Sequence, residues 1–119
     1  MTNERTQADS TTIVIFGASG DLTYRKLIPA LYHNHRKGRF PGLTRVVGVA
    51  RRDWSNDAFR ERLLDGVKKF GGQFDEATWL DFASRIDYVR ADLDVPADYA
   101  EVGQQLSVIE NGPANRLYY

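Results

Sequence analysis

The sequence predicts an α/β fold: a mostly parallel, doubly wound sheet, incomplete at its C-terminus. Three observations carry this. The runs from Thr12 to Phe16 and from Val46 to Ala50 are β-branched and apolar, as in parallel strands buried on both faces. Strand-like and helix-like segments alternate along the chain, which calls for right-handed βαβ crossovers. The first strand runs directly into Gly17-Ala18-Ser19-Gly20-Asp21-Leu22 and then a helix, an order that turns backbone N–H groups and a positive helix end toward a phosphate. Together they describe the N-terminal part of a Rossmann-like dinucleotide fold.

Residues 1–11 are polar and are expected to form a disordered tail, leaving 12–119 as the N-terminal part of one NAD(P)-binding domain. After the turn, Tyr24, Leu27, Ile28, Leu31 and Tyr32 share one helical face. Pro29 removes the donor that would reach the Arg25 carbonyl, so a kink or a short first turn is expected there. Arg36-Lys37-Gly38 ends that helix, and Arg39 to Thr44, with Pro41 and Gly42, reads as a loop. Beyond the second strand, Ser55 predicts an N-cap for a helix to Phe70, with Phe59, Leu63, Val67 and Phe70 inward and Gly71-Gly72 as its stop. Asp75 to Ser84 reads as a helix packed through Trp79, Leu80 and Ala83, and Ile86 to Ala91 as a strand. Asp92 to Pro96 is a turn. Tyr99, Val102, Leu106 and Ile109 mark a last helix up to Asn111-Gly112-Pro113, and Arg116-Leu117-Tyr118-Tyr119 opens a fourth strand. A chain that stops inside such a strand is expected to be a fragment of a longer protein.

Composition narrows the function. A chain of 119 residues with 42% apolar content supports one core. Sixteen basic residues balance sixteen acidic ones, so no overall field draws in nucleic acid or an anionic membrane, and anion recognition must be local. The absence of cysteine excludes a disulfide framework and thiolate chemistry, and is compatible with a reducing cytoplasm. No apolar run approaches membrane-spanning length. His33 and His35, two residues apart on a helix, point to different sides and cannot share a metal as an i, i+4 pair can; they are expected in solvent. Asp92 and Asp94 read as turn residues, and Trp79, Phe82 and Phe70 as core aromatics. A P-loop is excluded because Leu22 stands where its second glycine is required and no Gly-Lys-Ser/Thr follows.

The candidate site follows from the turn. Glycines at 17 and 20 allow a tight turn and close backbone approach, and amides around Ala18, Ser19, Gly20, Asp21 and Leu22 are expected to hold a dinucleotide pyrophosphate. Asp21 is expected to cap the helix or orient the amides. At the end of the second strand, an NAD site usually offers a carboxylate to the ribose 2′-hydroxyl; here Arg51-Arg52 offers positive charge to a 2′-phosphate, which favours NADP.

The run from Gly17 to Tyr32, Gly-Ala-Ser-Gly-Asp-Leu-Thr-Tyr-Arg-Lys-Leu-Ile-Pro-Ala-Leu-Tyr, closely resembles the signature of glucose-6-phosphate dehydrogenases. The resemblance continues through Val47-Gly48-Val49-Ala50-Arg51, Tyr88-Val89-Arg90-Ala91-Asp92-Leu93-Asp94 and Asn115-Arg116-Leu117-Tyr118-Tyr119. It implies oxidation of glucose 6-phosphate at C1 to 6-phosphogluconolactone with NADP, the entry step of the pentose phosphate pathway. It implies that Gly17, Ala18, Ser19, Gly20, Asp21, Leu22, Thr23, Tyr24 and Arg51 serve the cofactor, and that Lys26 approaches a cofactor or substrate phosphate. Thr23 stands where the family often has alanine, and Tyr24 where it often has lysine or arginine. The family's catalytic histidine lies in an Asp-His-Tyr-Leu-Gly-Lys-Glu type segment that this chain does not contain, and its substrate domain and subunit interface also lie outside it. The fragment is therefore expected to bind coenzyme at best, as part of a cytoplasmic homo-oligomeric enzyme. Two other readings stay open: a short-chain or epimerase-like NAD(P) protein, and a dinucleotide-binding module without catalysis.

Overall fold

A computed structural model describes residues 10–40 and 43–119. Most of the expected tail, and Pro41 and Gly42 of the expected loop, lie outside the described residues. Four strands, β1 (Thr11–Phe16), β2 (Thr44–Ala50), β3 (Ile86–Arg90) and β4 (Asn115–Tyr118), form one sheet in the order β3-β2-β1-β4, parallel throughout. Four α-helices connect them: α1 (Ile28–Arg36), α2 (Asn56–Phe70), α3 (Glu76–Ala83) and α4 (Pro96–Glu110). The first strand starts earlier than expected, at Thr11, and the Ser10 carbonyl accepts from the Asn115 amide at 2.9 Å. Thr11 thus belongs to the sheet, and Ser10 just before it is bonded to β4.

Strand alternation sorts the core into two layers. Ile13, Ile15, Val46, Ile86 and Tyr88 pack with Ile28 and Tyr32 of α1, Phe59, Leu63 and Val67 of α2, and Trp79, Phe82 and Ala83 of α3. On the other face, Val14, Val47, Val49 and Val89 meet Val102 and Leu106 of α4. Tyr32 joins two helices: its hydroxyl accepts from the Asp75 amide at 3.0 Å and donates to the Asp75 carbonyl at 3.2 Å, while Phe74, Trp79 and Phe82 surround its ring.

Caps fall where the sequence places them. Ser55 Oγ accepts from the Ala58 amide at 3.1 Å, and Asp75 Oδ2 from the Thr78 amide at 2.8 Å. Gly38 and Gly72 adopt positive φ just past α1 and α2. Pro29 does not break its helix. Thr23–Leu27 forms a π-helical turn, in which the Ile28 amide reaches back to the Thr23 carbonyl, and the widened turn carries the chain past the donor that Pro29 lacks. Three expected core residues face out. Phe70 is 43% exposed, and Leu80 and Tyr99 are each 61% exposed; in α3 the buried trio is Trp79, Phe82 and Ala83. His35 is not in open solvent as expected: its Nε2 lies 2.9 Å from Asp81 Oδ2 and its ring packs on Phe82.

The last strand is fastened by charge. Glu110, at the end of α4, has a side chain only 4% exposed; it accepts from Arg116 Nη2 at 2.8 Å and Nε at 3.0 Å, and from Thr12 Oγ1 at 2.7 Å. The Arg116 hydrogen bonds, aided by Thr12, hold the Glu110 carboxyl below its ordinary range against the opposing effect of burial, and Glu110 raises the Arg116 guanidinium in turn. A carboxyl with a lowered folded pKa stabilises the fold above its unfolded pKa, and that stability disappears as pH falls through the folded value. Glu110→Gln is expected to lower stability by roughly 1–3 kcal/mol at neutral pH. In urea unfolding followed by circular dichroism, its deficit relative to wild type should shrink as the pH falls below about 4.

Candidate functional site

The sequence places its glycine turn where β1 ends, and the structure shows what that turn needs. Gly17 has φ +68°, a conformation that strains any residue with a Cβ. The Gly20 amide donates back to the Gly17 carbonyl at 3.0 Å, closing the turn, and the Ala18 amide donates to Val49 of β2 at 3.1 Å. Ala18 itself is buried. It rests over Gly48, where a Cβ would come within 2.8 Å of the Ala18 Cβ and 2.4 Å of Phe59 Cζ. The turn lies flat on β2 because β2 has no side chain at that point.

These bonds decide which amides face a ligand. Ala18 and Gly20, both expected to offer N–H groups to the pyrophosphate, already donate within the fold. The first helical hydrogen bond runs from the Tyr24 amide to the Gly20 carbonyl at 3.4 Å, so the Asp21, Leu22 and Thr23 amides precede the first with an intrahelical acceptor, and of these residues Thr23 is buried while Asp21 and Leu22 are exposed. Ser19 and these two amides are what the helix start presents to an anion. Asp21 pairs with Arg25 at 2.9 Å, an exposed i, i+4 contact.

An open cleft of about 610 Å³ lies against the turn at the carboxyl ends of three strands. Gly17, Ser19 and Gly20 form one wall, Val49, Ala50, Arg51 and Arg52 a second, and Ala91 to Asp94 a third. Arg51 is exposed, and its side chain makes no ion pair among the described residues. The Arg52 guanidinium stands 5.4 Å from the Trp54 ring centroid. The wall after β3 went unread in the sequence beyond its role as a turn: Asp92 Oδ1 accepts from the Asp94 amide at 3.0 Å, as turn chemistry requires, yet both residues also line the cleft. The general placement of ligands outside the carboxyl ends of parallel strands is the signal that finds it.

Of the expected site residues only Gly17, Ser19, Gly20 and Arg51 line this cleft; Ala18, Asp21 and Leu22 border the turn without lining it. Thr23 is buried. Tyr24 turns toward α2, where its hydroxyl donates to Asp65 and its ring lies 4.4 Å from the Arg62 guanidinium. Its phenol and Lys69 hold the Asp65 carboxyl below the ordinary range. Lys26 lines a separate surface hollow with Pro29, His33 and Phe70. Arg62 escaped sequence reasoning: it sits between Tyr24 and Trp54 with Nη2 3.5 Å from the Ser19 carbonyl, behind the turn.

Residues 14–119 match the family model for the glucose-6-phosphate dehydrogenase NAD binding domain. A glucose-6-phosphate 1-dehydrogenase of Chlamydia pneumoniae is 40% identical over 111 residues, covering 90% of this chain and 22% of the relative. That of Mycolicibacterium smegmatis is 37% identical over 119 residues, covering 93% and 23%. Among solved structures, a glucose-6-phosphate dehydrogenase in complex with its substrate glucose-6-phosphate superimposes with a TM-score of 0.81 at 34% identity, over 94% of this chain and 24% of that one. A glucose-6-phosphate 1-dehydrogenase from Mycobacterium avium gives 0.78 at 29% identity, over 92% and 23%. The chain spans less than a quarter of the length of these relatives.

The close fit beneath the turn is testable. Gly48→Ala inserts a methyl into filled space and is expected to destabilise the chain by roughly 1–3 kcal/mol. Denaturant unfolding measures this, and an unchanged midpoint would contradict the packing described.

Proposed function

The chain belongs to the glucose-6-phosphate dehydrogenase family, through its NAD-binding domain, and on that footing we propose that it is the coenzyme-binding part of an enzyme that oxidises glucose 6-phosphate to 6-phosphogluconolactone with NADP. The observation that carries the coenzyme reading is the cleft itself: the glycine turn that leads into the helix start on one side, and an exposed arginine free of ion pairs among the described residues on the other. When bound, NADP supplies the hydride acceptor. The residues of this chain bind and orient it. The Ser19, Asp21 and Leu22 amides face the pyrophosphate, and the missing side chains at Gly17 and Gly20 admit it; a Cβ on Gly20 would sit 3.2 Å from the Gly17 carbonyl oxygen. Arg51, at the end of β2, meets the 2′-phosphate with charge-assisted hydrogen bonds.

Thr23, Tyr24 and Lys26 act at one remove in this reading. Thr23 and Tyr24 shape the start of the helix that carries the amides, and Lys26 faces away from the cleft toward a surface that the remainder of a longer enzyme could cover. Catalysis, the sugar-phosphate contacts and a homo-oligomeric assembly belong to that remainder, so the chain alone is expected to be inactive. Placement in the cytoplasm and at the entry of the pentose phosphate pathway follows from the same family reading. Among the described residues no helix is long and apolar enough to cross a membrane.

Calorimetric titration with NADP and with NAD tests the reading. NADP should bind more tightly and with the steeper salt dependence, and Arg51→Ala should weaken NADP roughly 10- to 100-fold while leaving NAD nearly unchanged. A folded chain that binds neither coenzyme would sink the proposal.

A further inference from the structure

The loop that carries Arg51 is held from beneath by β3. Tyr88 and Arg90, two residues apart on that strand, donate to consecutive carbonyls: the Tyr88 hydroxyl to Arg52 at 2.6 Å and Arg90 Nε to Arg51 at 3.1 Å. Tyr88 is nearly buried, its ring 4.9 Å from that of Phe59 and 5.8 Å from that of Trp54. Burial pushes its phenol upward, which keeps the hydroxyl a donor across the physiological range. Arg90 is steadied from the other side by Asp98, whose Oδ2 lies 3.9 Å from Nη1 and also accepts from the Asp92 amide at 2.9 Å. One short network therefore joins the wall after β3 to the backbone from which Arg51 projects.

We propose that Tyr88 is a positioning residue for coenzyme discrimination, which acts, with Arg90, by fixing the Arg51-Arg52 backbone so that the Arg51 guanidinium meets a 2′-phosphate. The inference rests on the coenzyme reading given above and deepens it. A bidentate contact to a phosphate tolerates little displacement of its donor, about 0.5 Å, so a loop freed of its two carbonyl anchors presents the same charge in many poor geometries. NAD has no phosphate at this position, so the loss should fall on NADP alone. Arg52 takes a different part: packed on Trp54, it helps hold the loop that Arg51 uses.

The test compares the 119-residue chain with its Tyr88→Phe and Arg90→Lys variants, titrated with NADP and NAD, with thermal unfolding as a control. Tyr88→Phe keeps the packed ring and removes only the donor; Arg90→Lys keeps the exposed charge and removes the guanidinium Nε. Each is expected to lower NADP affinity by about fivefold, with NAD changed by less than about twofold. Proportional losses for both coenzymes would show a general structural role and overturn the proposal, as would an unchanged NADP-to-NAD ratio in both variants. Wild-type chain that binds neither coenzyme would instead overturn the coenzyme reading, and this inference with it.

Discussion

The Ala18 amide donates to the Val49 carbonyl, and the candidate site depends on that bond being possible. It forms because Gly48 leaves room for Ala18 and Phe59 to meet across β2. With the turn pressed onto the second strand, the Gly20 amide closes it, the helix starts at a fixed height above the sheet, and the walls at the ends of β1 and β2 face each other across a cleft. A side chain at position 48 would lift the turn and spoil that spacing. The helix-start amides and the Arg51 charge are thus placed by one close approach between neighbouring strands.

A second layer of support lies behind the cleft. Arg62 reaches the Ser19 carbonyl from between two aromatic rings, and Tyr88 and Arg90 hold the carbonyls after β2. None of these groups lines the cleft, and all of them grip backbone oxygens of residues that do. Backbone carbonyls make effective handles because gripping them leaves side chains such as that of Arg51 free to serve a ligand. At the opposite end of the sheet, Glu110 and Arg116 anchor β4 through a mostly buried ion pair, so the outer strand of this parallel sheet is held by charge as well as by its ladder.

Much of this was legible from the residues. The strands of β-branched residues, the Ser55 and Asp75 helix starts, the glycine stops and the strand-turn-helix unit around Gly17 are local features, set by backbone conformation and side-chain shape, and they appear where the sequence puts them. Burial was less legible. In α3, periodicity is met both by Trp79 with Ala83 and by Leu80 with Ala83, and only packing against α1 decides that Leu80 turns out while Phe82, expected in the core for its aromatic side chain, turns in. Tyr99 shares the spacing of Val102 and Leu106 but lies in the first turn of α4, beside Leu93 and Phe16 at the sheet's margin. Pro29 foreshadows the π-helical turn only as a kink or a short first turn, because whether a helix breaks or widens is decided by what holds it on both sides. Within the site, the fold's own use of the Ala18 and Gly20 amides, and the contribution of Tyr88 and Arg62, depend on residues distant in sequence and leave no local mark.

In the proposed function the helix-start amides and the end of β2 form one binding surface. Amide chemical-shift mapping by nuclear magnetic resonance, with NADP added to isotopically labelled chain, tests it most directly. The largest perturbations are expected on Ser19, Asp21, Leu22 and Arg51, with smaller ones at Asp92 to Asp94. Perturbations confined to the hollow around Lys26 and His33, or none on saturation with NADP, would contradict it.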